Sequence, residues 1–462
     1  MKRKLFAGII GVSLLFSGCN ALESHNLYAL PQRSEEYRSL QNAVESAMGS
    51  GSFSAPMSGA NRQTIQQADL NGDGVDEILV FCKREGEHPL KVLIFRRLEG
   101  RFEQLSALEG DGTAFDSVQY AQIDGRPGQE LLLTRRIGEQ VQQFLTVYTM
   151  DGADVKEIMS TSCSAYSVQD LDGDERSDIF LLRANADGPR AFAELYRCQS
   201  GELRKDAESS LSTDADSVKR ILTGNIAVNV PAVFVASAYD EQNLITDVFA
   251  LKNNVFSNLT QNDESGQSGQ TVRSYYVYST DIDNDNVIEL PNTIQLPNIP
   301  GDEQSMGQSR ILWYNLGLDG VSKDKNSTYH NFAEGWFLFL PEEWCPNLVV
   351  TKSKDGGAPE GTVFCRLEAD ESPTRLLTIR ALSGDAAKRF QPTEESFLLV
   401  QRGEISYTAS LSPEAGLNAE QLRARFSFIA PDLFPETEKN EGDVVMACTV
   451  TALRPVPDVV IL

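Results

Sequence analysis

The sequence predicts a mainly β protein: a β-propeller of four-stranded blades followed by a small C-terminal α+β domain. Three observations predict it. A loop of alternating acidic residues recurs along the chain at intervals near 50 residues. Short β-branched and aromatic runs follow each loop, as strands should. Gly or Asn turns separate those runs at matching distances, so each period holds about four strands, and radial repetition of four-stranded units is how a propeller avoids long bare sheet edges.

The chain has 462 residues, a formal net charge of −25 and 41% hydrophobic residues. That balance is ordinary for a folded protein. The acidity disfavours a phosphate-tracking nucleic-acid binder and electrostatic docking on anionic lipid. Three histidines, at 25, 88 and 330, leave little room for a multi-His metal centre. His88 and His330 lie in polar stretches and are expected to face solvent.

Lys2, Arg3 and Lys4 precede an apolar run from Leu5 to Phe16. This is a signal-peptide layout, and the run is shorter than the roughly 20 residues that span a bilayer. Leu15-Phe16-Ser17-Gly18-Cys19 resembles the bacterial lipoprotein lipobox. The resemblance implies cleavage after residue 18, acylation of the Cys19 thiol, and a tether over 19–33 on the extracytoplasmic side of the cell membrane. Residues 34–60 hold a helix and a linker. Ser34 can cap the helix, Leu40, Ala43, Val44 and Ala47 form its apolar stripe, and Gly49 ends it.

The repeats occupy 61–335. Their loops begin at Asp69, Gln122, Asp170 and Asp281, which lie 53, 48 and 111 residues apart. The double-length gap predicts a degenerate copy near residue 225, where Thr223-Gly-Asn leads into the apolar Val233–Val235 without the acids. Five repeats result.

In the third loop, Asp170, Asp172, Asp174 and Asp178 hold positions 1, 3, 5 and 9. Alternate spacing in a tight loop turns several hard oxygens inward, which suits Ca²⁺, and the Arg176 carbonyl can add another. The first loop offers Asp69, Asn71, Asp73 and Glu77. The fifth repeat offers Asp281, Asp283, Asp285 and Glu289. In the second, Arg126 places a guanidinium where a ligand should be and is expected to replace the ion. Strands rather than helices flank these loops, which argues against an EF-hand.

The segments 68–81, 169–182 and 280–290 resemble FG-GAP/VCBS repeats, the blades of integrin-α-like propellers. With the lipobox, Tyr28-Ala-Leu-Pro31 and Asn61-Arg-Gln63, the chain is similar to VCBS-repeat lipoproteins of Gram-positive bacteria. The resemblance implies a Ca²⁺ site in each intact loop and no catalytic residue in the blades.

From Trp336 the texture changes, and 336–462 reads as an α+β domain with strands near 363–366, 375–379, 396–400, 404–409 and 444–450. It loosely resembles the Mog1/PsbP-like fold; the alternative is that some of these strands complete the propeller. Asn418 and Gln421 stand at capping-box spacing for a helix over 418–428. Six cysteines follow Cys19 and are read as isolated thiols, with Cys345 and Cys365 the first pair to test. The chain shows no P-loop, no GxGxxG after a strand and no GxSxG elbow. The expectation is a binding module with an unknown protein, glycan or cell-wall partner; the alternative is an extracellular polymer hydrolase or lyase whose acid pair the sequence does not identify.

Overall fold

The computed structural model describes residues 35–138, 143–262, 264–274, 277–353, 360–393, 395–430 and 447–449. The leader, Cys19 and the tether lie outside the described residues. The chain builds six sheets, antiparallel throughout but for one late parallel strand. Helix α1 (Glu35–Met48) leads into β1 (Ser52–Phe53) and the first sheet, β2 (Ile65–Ala68), β3 (Glu77–Lys83), β4 (Leu90–Leu98) and β5 (Arg101–Gly110). The second sheet is the meander β6 (Ala114–Ala121), β7 (Glu130–Arg136), β8 (Gln143–Asp151) and β9 (Asp154–Cys163). The third is β10 (Ala165–Gln169), β11 (Asp178–Arg183), β12 (Phe192–Gln199) and β13 (Glu202–Ser210). The fourth is β14 (Val218–Ala227), β15 (Val230–Ala238), β16 (Asn243–Lys252) and β17 (Val255–Asn258), with β18 (Arg273–Ser274) on β16.

The fifth opens with a bridge from Thr280 to Glu289 and continues as β19 (Leu290–Gln295), β20 (Ser309–Leu316), β21 (Ser322–Asn331) and β22 (Trp336–Phe339). The sixth is β23 (Leu348–Ser353), β24 (Gly361–Leu367), β25 (Pro373–Leu382), β26 (Ser396–Arg402) and β27 (Ile405–Leu411), beside α2 (Gly384–Arg389) and α3 (Ala419–Arg425). β28 (Phe426–Phe428) pairs with β22, and β29 (Ala447–Thr449) runs parallel to β14.

The second strands of the first four blades, β3, β7, β11 and β15, each carry a buried apolar run because both their faces are covered. In β3, Leu79 and Phe81 meet Val118, Leu131 and Leu133 of the second sheet, while Ile78 and Val80 meet α1. In β7, Leu132 turns the other way, onto Ile179 and Leu181. In β11, Phe180 and Leu182 turn onward to Val233, Val235 and Phe249. In β15, Phe234 faces Leu290, Tyr314 and Leu316. The period-two alternation therefore stacks successive meanders face to face. Helix α1 covers the outer face of the first through Leu40, Ala43, Val44 and Ala47.

Two features recur at fixed places. Left-handed turns join the third and fourth strands, at Glu99-Gly100, Ser200-Gly201 and Asn253-Asn254, which is why Gly and Asn gather there. A bulge sits between the same two strands in four blades. The extra residue on the fourth strand is Leu105, Ile158, Asp206 and Lys325 in turn.

The fourth repeat has no acidic loop. β14 and β15 are joined by Val228-Asn229, with Asn229 at φ 57°, so the loop has shrunk to a hairpin turn. Several expectations need correction. β22 pairs with β21, so a sheet runs across the expected domain boundary at residue 336. The C-terminal helix shows its capping box but stops at Arg425, where the chain turns extended as β28. β29 joins the fourth sheet rather than the sixth. His330 is buried, stacked on Phe337 with its Nε2 on the Thr328 hydroxyl at 2.9 Å. Burial pushes its pKa down to about 3, so it is neutral. Cys345 and Cys365, read from the sequence as isolated thiols, are free, the former directed at the Pro341 carbonyl. Among the described residues no helix is long and apolar enough to cross a membrane.

A candidate metal centre in the acidic loops

The acidic loops join the first and second strands of their blades, and their sequence pattern is a backbone pattern first. Position 4 and position 6 are left-handed in the first, third and fifth loops: Gly72 and Gly74, Gly173 and Glu175, Asn284 and Asn286. Gly and Asn tolerate that conformation. With the chain so turned, the position-1 carboxylate collects two amides. Asp69 accepts from Gly72 at 2.7 Å and Gly74 at 2.9 Å. Asp170 accepts from Gly173 at 2.7 Å and Glu175 at 2.8 Å. Asp281 accepts from Asp285 at 3.0 Å and Asn286 at 2.8 Å.

Position 9 closes the loop. Glu77, Glu130, Asp178 and Glu289 are buried, and each accepts the amide of position 2: Leu70 at 3.0 Å, Ile123 at 2.7 Å, Leu171 at 3.0 Å and Ile282 at 3.0 Å. Burial raises the pKa of all four carboxyls.

Consecutive loops are also tied to one another. The amide of Gln129, at position 8 of the second loop, donates to the Asp69 carbonyl at 3.0 Å. Ser177 donates to the Gln122 carbonyl at 2.6 Å, and Ile288 to the Asn225 carbonyl in β14 at 2.8 Å. Gly72 and Gly128 sit where the first two loops touch. A Cβ on Gly72 would run into the Pro127 backbone, and one on Gly128 into Leu70.

The remaining oxygen of each position-9 acid separates the loops. In the first, Oε1 of Glu77 accepts the Asn71 side-chain amide at 2.9 Å. In the second, Arg126 grips Asp124 through Nε at 2.8 Å and Nη2 at 2.6 Å and reaches Asp151 at 3.2 Å, while the Thr149 hydroxyl serves Glu130 at 3.1 Å. The guanidinium thus stands among the acids as expected. In the fifth, the Lys325 ammonium touches Asp283 at 3.0 Å, Asp285 at 2.6 Å and Glu289 at 2.7 Å. Burial works against the charged ammonium, but these bonds outweigh it and hold its pKa above lysine's ordinary value.

The third loop is different. No donor is directed at the second oxygen of Asp178 among the described residues; its first takes Leu171. Arg176 pairs outward with Asp174, and Arg197 reaches only Asp172, at 3.2 Å, while it is also held by Asp206 at 3.3 Å. The Asp178 carboxyl is pushed up to about 7, by burial first and then by Asp172 and Asp174. Oxygens of Asp170, Asp172 and Asp178 lie within 4.8 Å of one another. Asp281, Asp283 and Asp285 converge similarly, and no other set of three acids does so among the described residues. An all-oxygen donor set with an under-compensated buried carboxylate fits a hard divalent cation.

Sequence reasoning missed Lys325 and Arg197. Lys325 lies on β21, far along the chain from its loop, and only the bulge brings it there.

No protein-family model and no curated protein sequence matches the chain. Solved structures similar to it include the Dos1 propeller, at 11% identity and TM-score 0.29, over 78% of this chain and 89% of that one. The exotype rhamnogalacturonan lyase YesX matches at 14% identity and TM-score 0.28, over 70% of this chain and 63% of that lyase, and the rhamnogalacturonan lyase YesW at 9% and 0.28, over 70% and 90%. The propeller architecture rests on the stacked four-stranded meanders themselves.

Proposed function

We propose that the protein is a lipid-anchored extracytoplasmic binding module, with a propeller of FG-GAP/VCBS type stiffened by calcium at those acidic loops that no side-chain cation fills. The third loop is the best-supported site. What carries this reading is the Asp170, Asp172 and Asp178 convergence around a buried carboxylate whose carboxyl stays raised although the Leu171 amide and the Arg197 charge act against the rise. Asp170, Asp172 and Asp178 would hold the ion, with Asp174 at the rim. A bound Ca²⁺ supplies charge compensation and loop rigidity, not chemistry. It binds the folded loop and not the open chain, so it stabilises by mass action. The partner would be an extracellular protein, glycan or cell-wall component.

A polymer hydrolase or lyase is the alternative. It calls for a raised carboxyl in a cleft outside the loops, whereas Glu77, Glu130, Asp178 and Glu289, which burial raises, each close a loop. The test is thermal unfolding in chelator and in millimolar Ca²⁺. We expect a lower melting temperature in chelator, restored by calcium; superimposable curves would remove the metal.

A further inference from the structure

We propose that Lys325 is a tethered cation that fills the fifth loop and keeps it free of metal ions. The inference deepens the calcium reading and rests on it for the other loops. An ammonium has three donors, and all three are used on carboxylates: Asp283 at 3.0 Å, Asp285 at 2.6 Å and Glu289 at 2.7 Å. Asn326 takes the other Asp283 oxygen at 2.8 Å. The Glu289 side chain is fully buried, and Lys325 is the only cation on it among the described residues.

The placement is built into the fold. Lys325 is the extra residue of the bulge between β20 and β21, and bulges re-aim a side chain. The same bulge carries Leu105 and Ile158 in the first two blades, where they cover the core. In the third blade it carries Asp206, which draws Arg197 toward the rim. Of these four bulges, the fifth blade's alone delivers a cation.

The oxygens stand 2.6–3.0 Å from nitrogen, whereas calcium needs them at about 2.3–2.6 Å and needs six to eight. Ammonium and ion cannot share the cage. Calcium can enter the fifth loop only by displacing the ammonium, so the metal response is carried by loops upstream of it.

The experiment compares the calcium stoichiometry of the full chain with that of Lys325→Met by calorimetric titration. Lys325→Met should bind one more equivalent than the wild type, and Lys325→Arg should bind no more. In chelator, Lys325→Met should melt about 3 °C lower, with calcium restoring the loss. No gain by Lys325→Met while the wild type binds calcium elsewhere overturns the inference. So does a lost equivalent in Asp283→Asn, a variant that removes one carboxylate of the cage and leaves Lys325 in the chain. If the wild type binds no calcium and Lys325→Met binds one, the calcium reading falls and the clamp stands. If neither binds, a lower melting point for Lys325→Met in chelator supports the clamp and an unchanged one overturns it.

Discussion

Asp178→Asn should change stability in opposite directions with and without calcium. The Asp178 carboxyl is 5% exposed and pushed up to about 7, against 3.8 for the free side chain. A tenfold loss of acidity corresponds to about 1.4 kcal/mol, so ionising this group in the ion-free fold costs on the order of 4 kcal/mol. Asparagine keeps an oxygen for the Leu171 amide and carries no charge. Its NH₂ needs a partner in the loop, an offset of about 1–2 kcal/mol. In chelator at pH 8 the variant should therefore be more stable than the wild type by about 2–3 kcal/mol.

The pH dependence follows with a fixed sign. Below about pH 4 the carboxyl is protonated in both folded and unfolded chains, and no penalty exists. Between about 4 and 7 the unfolded chain ionises first, so wild-type stability falls as pH rises, and above that window the penalty is constant. The variant lacks this slope. In millimolar calcium the order reverses, because the ion compensates the carboxylate and the amide does not. The assay is denaturant unfolding of both proteins at pH 4, 6 and 8, in chelator and in calcium. A variant less stable than the wild type in chelator at pH 8 would refute the reasoning.

Cys19→Ser should move the protein from the membrane fraction to the soluble extracytoplasmic fraction, and continued sedimentation with membranes would remove the lipid anchor. Gly72→Ala should cost about 3 kcal/mol, because the Cβ meets the Pro127 backbone at φ +73°. Gly74→Ala, at φ +82° but in open space, should cost about 1 kcal/mol. Equal losses in chemical denaturation would mean that the contact between the first two loops contributes nothing.

The repeat architecture was legible because its signals are local. β3, β7, β11 and β15 are short apolar runs, and their flanking turns require left-handed residues, so composition alone marks both. The acids were legible as a pattern but not as an occupancy. Position 9 reads the same in all four acidic loops, while what meets its second oxygen comes from Asn71, Thr149 or Lys325, and in the third loop from no described side chain. Arg126 could be foreseen because it lies inside its own loop. Lys325 could not, since a one-residue bulge leaves no mark on a β-strand pattern. The burial of His330 was hidden for a similar reason: Asn326 to Asn331 is a polar stretch, yet β21 packs its far end against Phe337 and Trp313.

The rungs from Gln129 to Asp69, Ser177 to Gln122 and Ile288 to Asn225 use only main-chain atoms. Most side-chain drift leaves such a seam in place, so long as Gly72 and Gly128 stay without a Cβ at the contact. That frees each loop to diverge: one repeat adopts an arginine, another discards its acids and contracts to a hairpin, and neighbouring blades still register against it. Duplicated modules joined this way can specialise one at a time, with the shared scaffold indifferent to which of them keeps an ion.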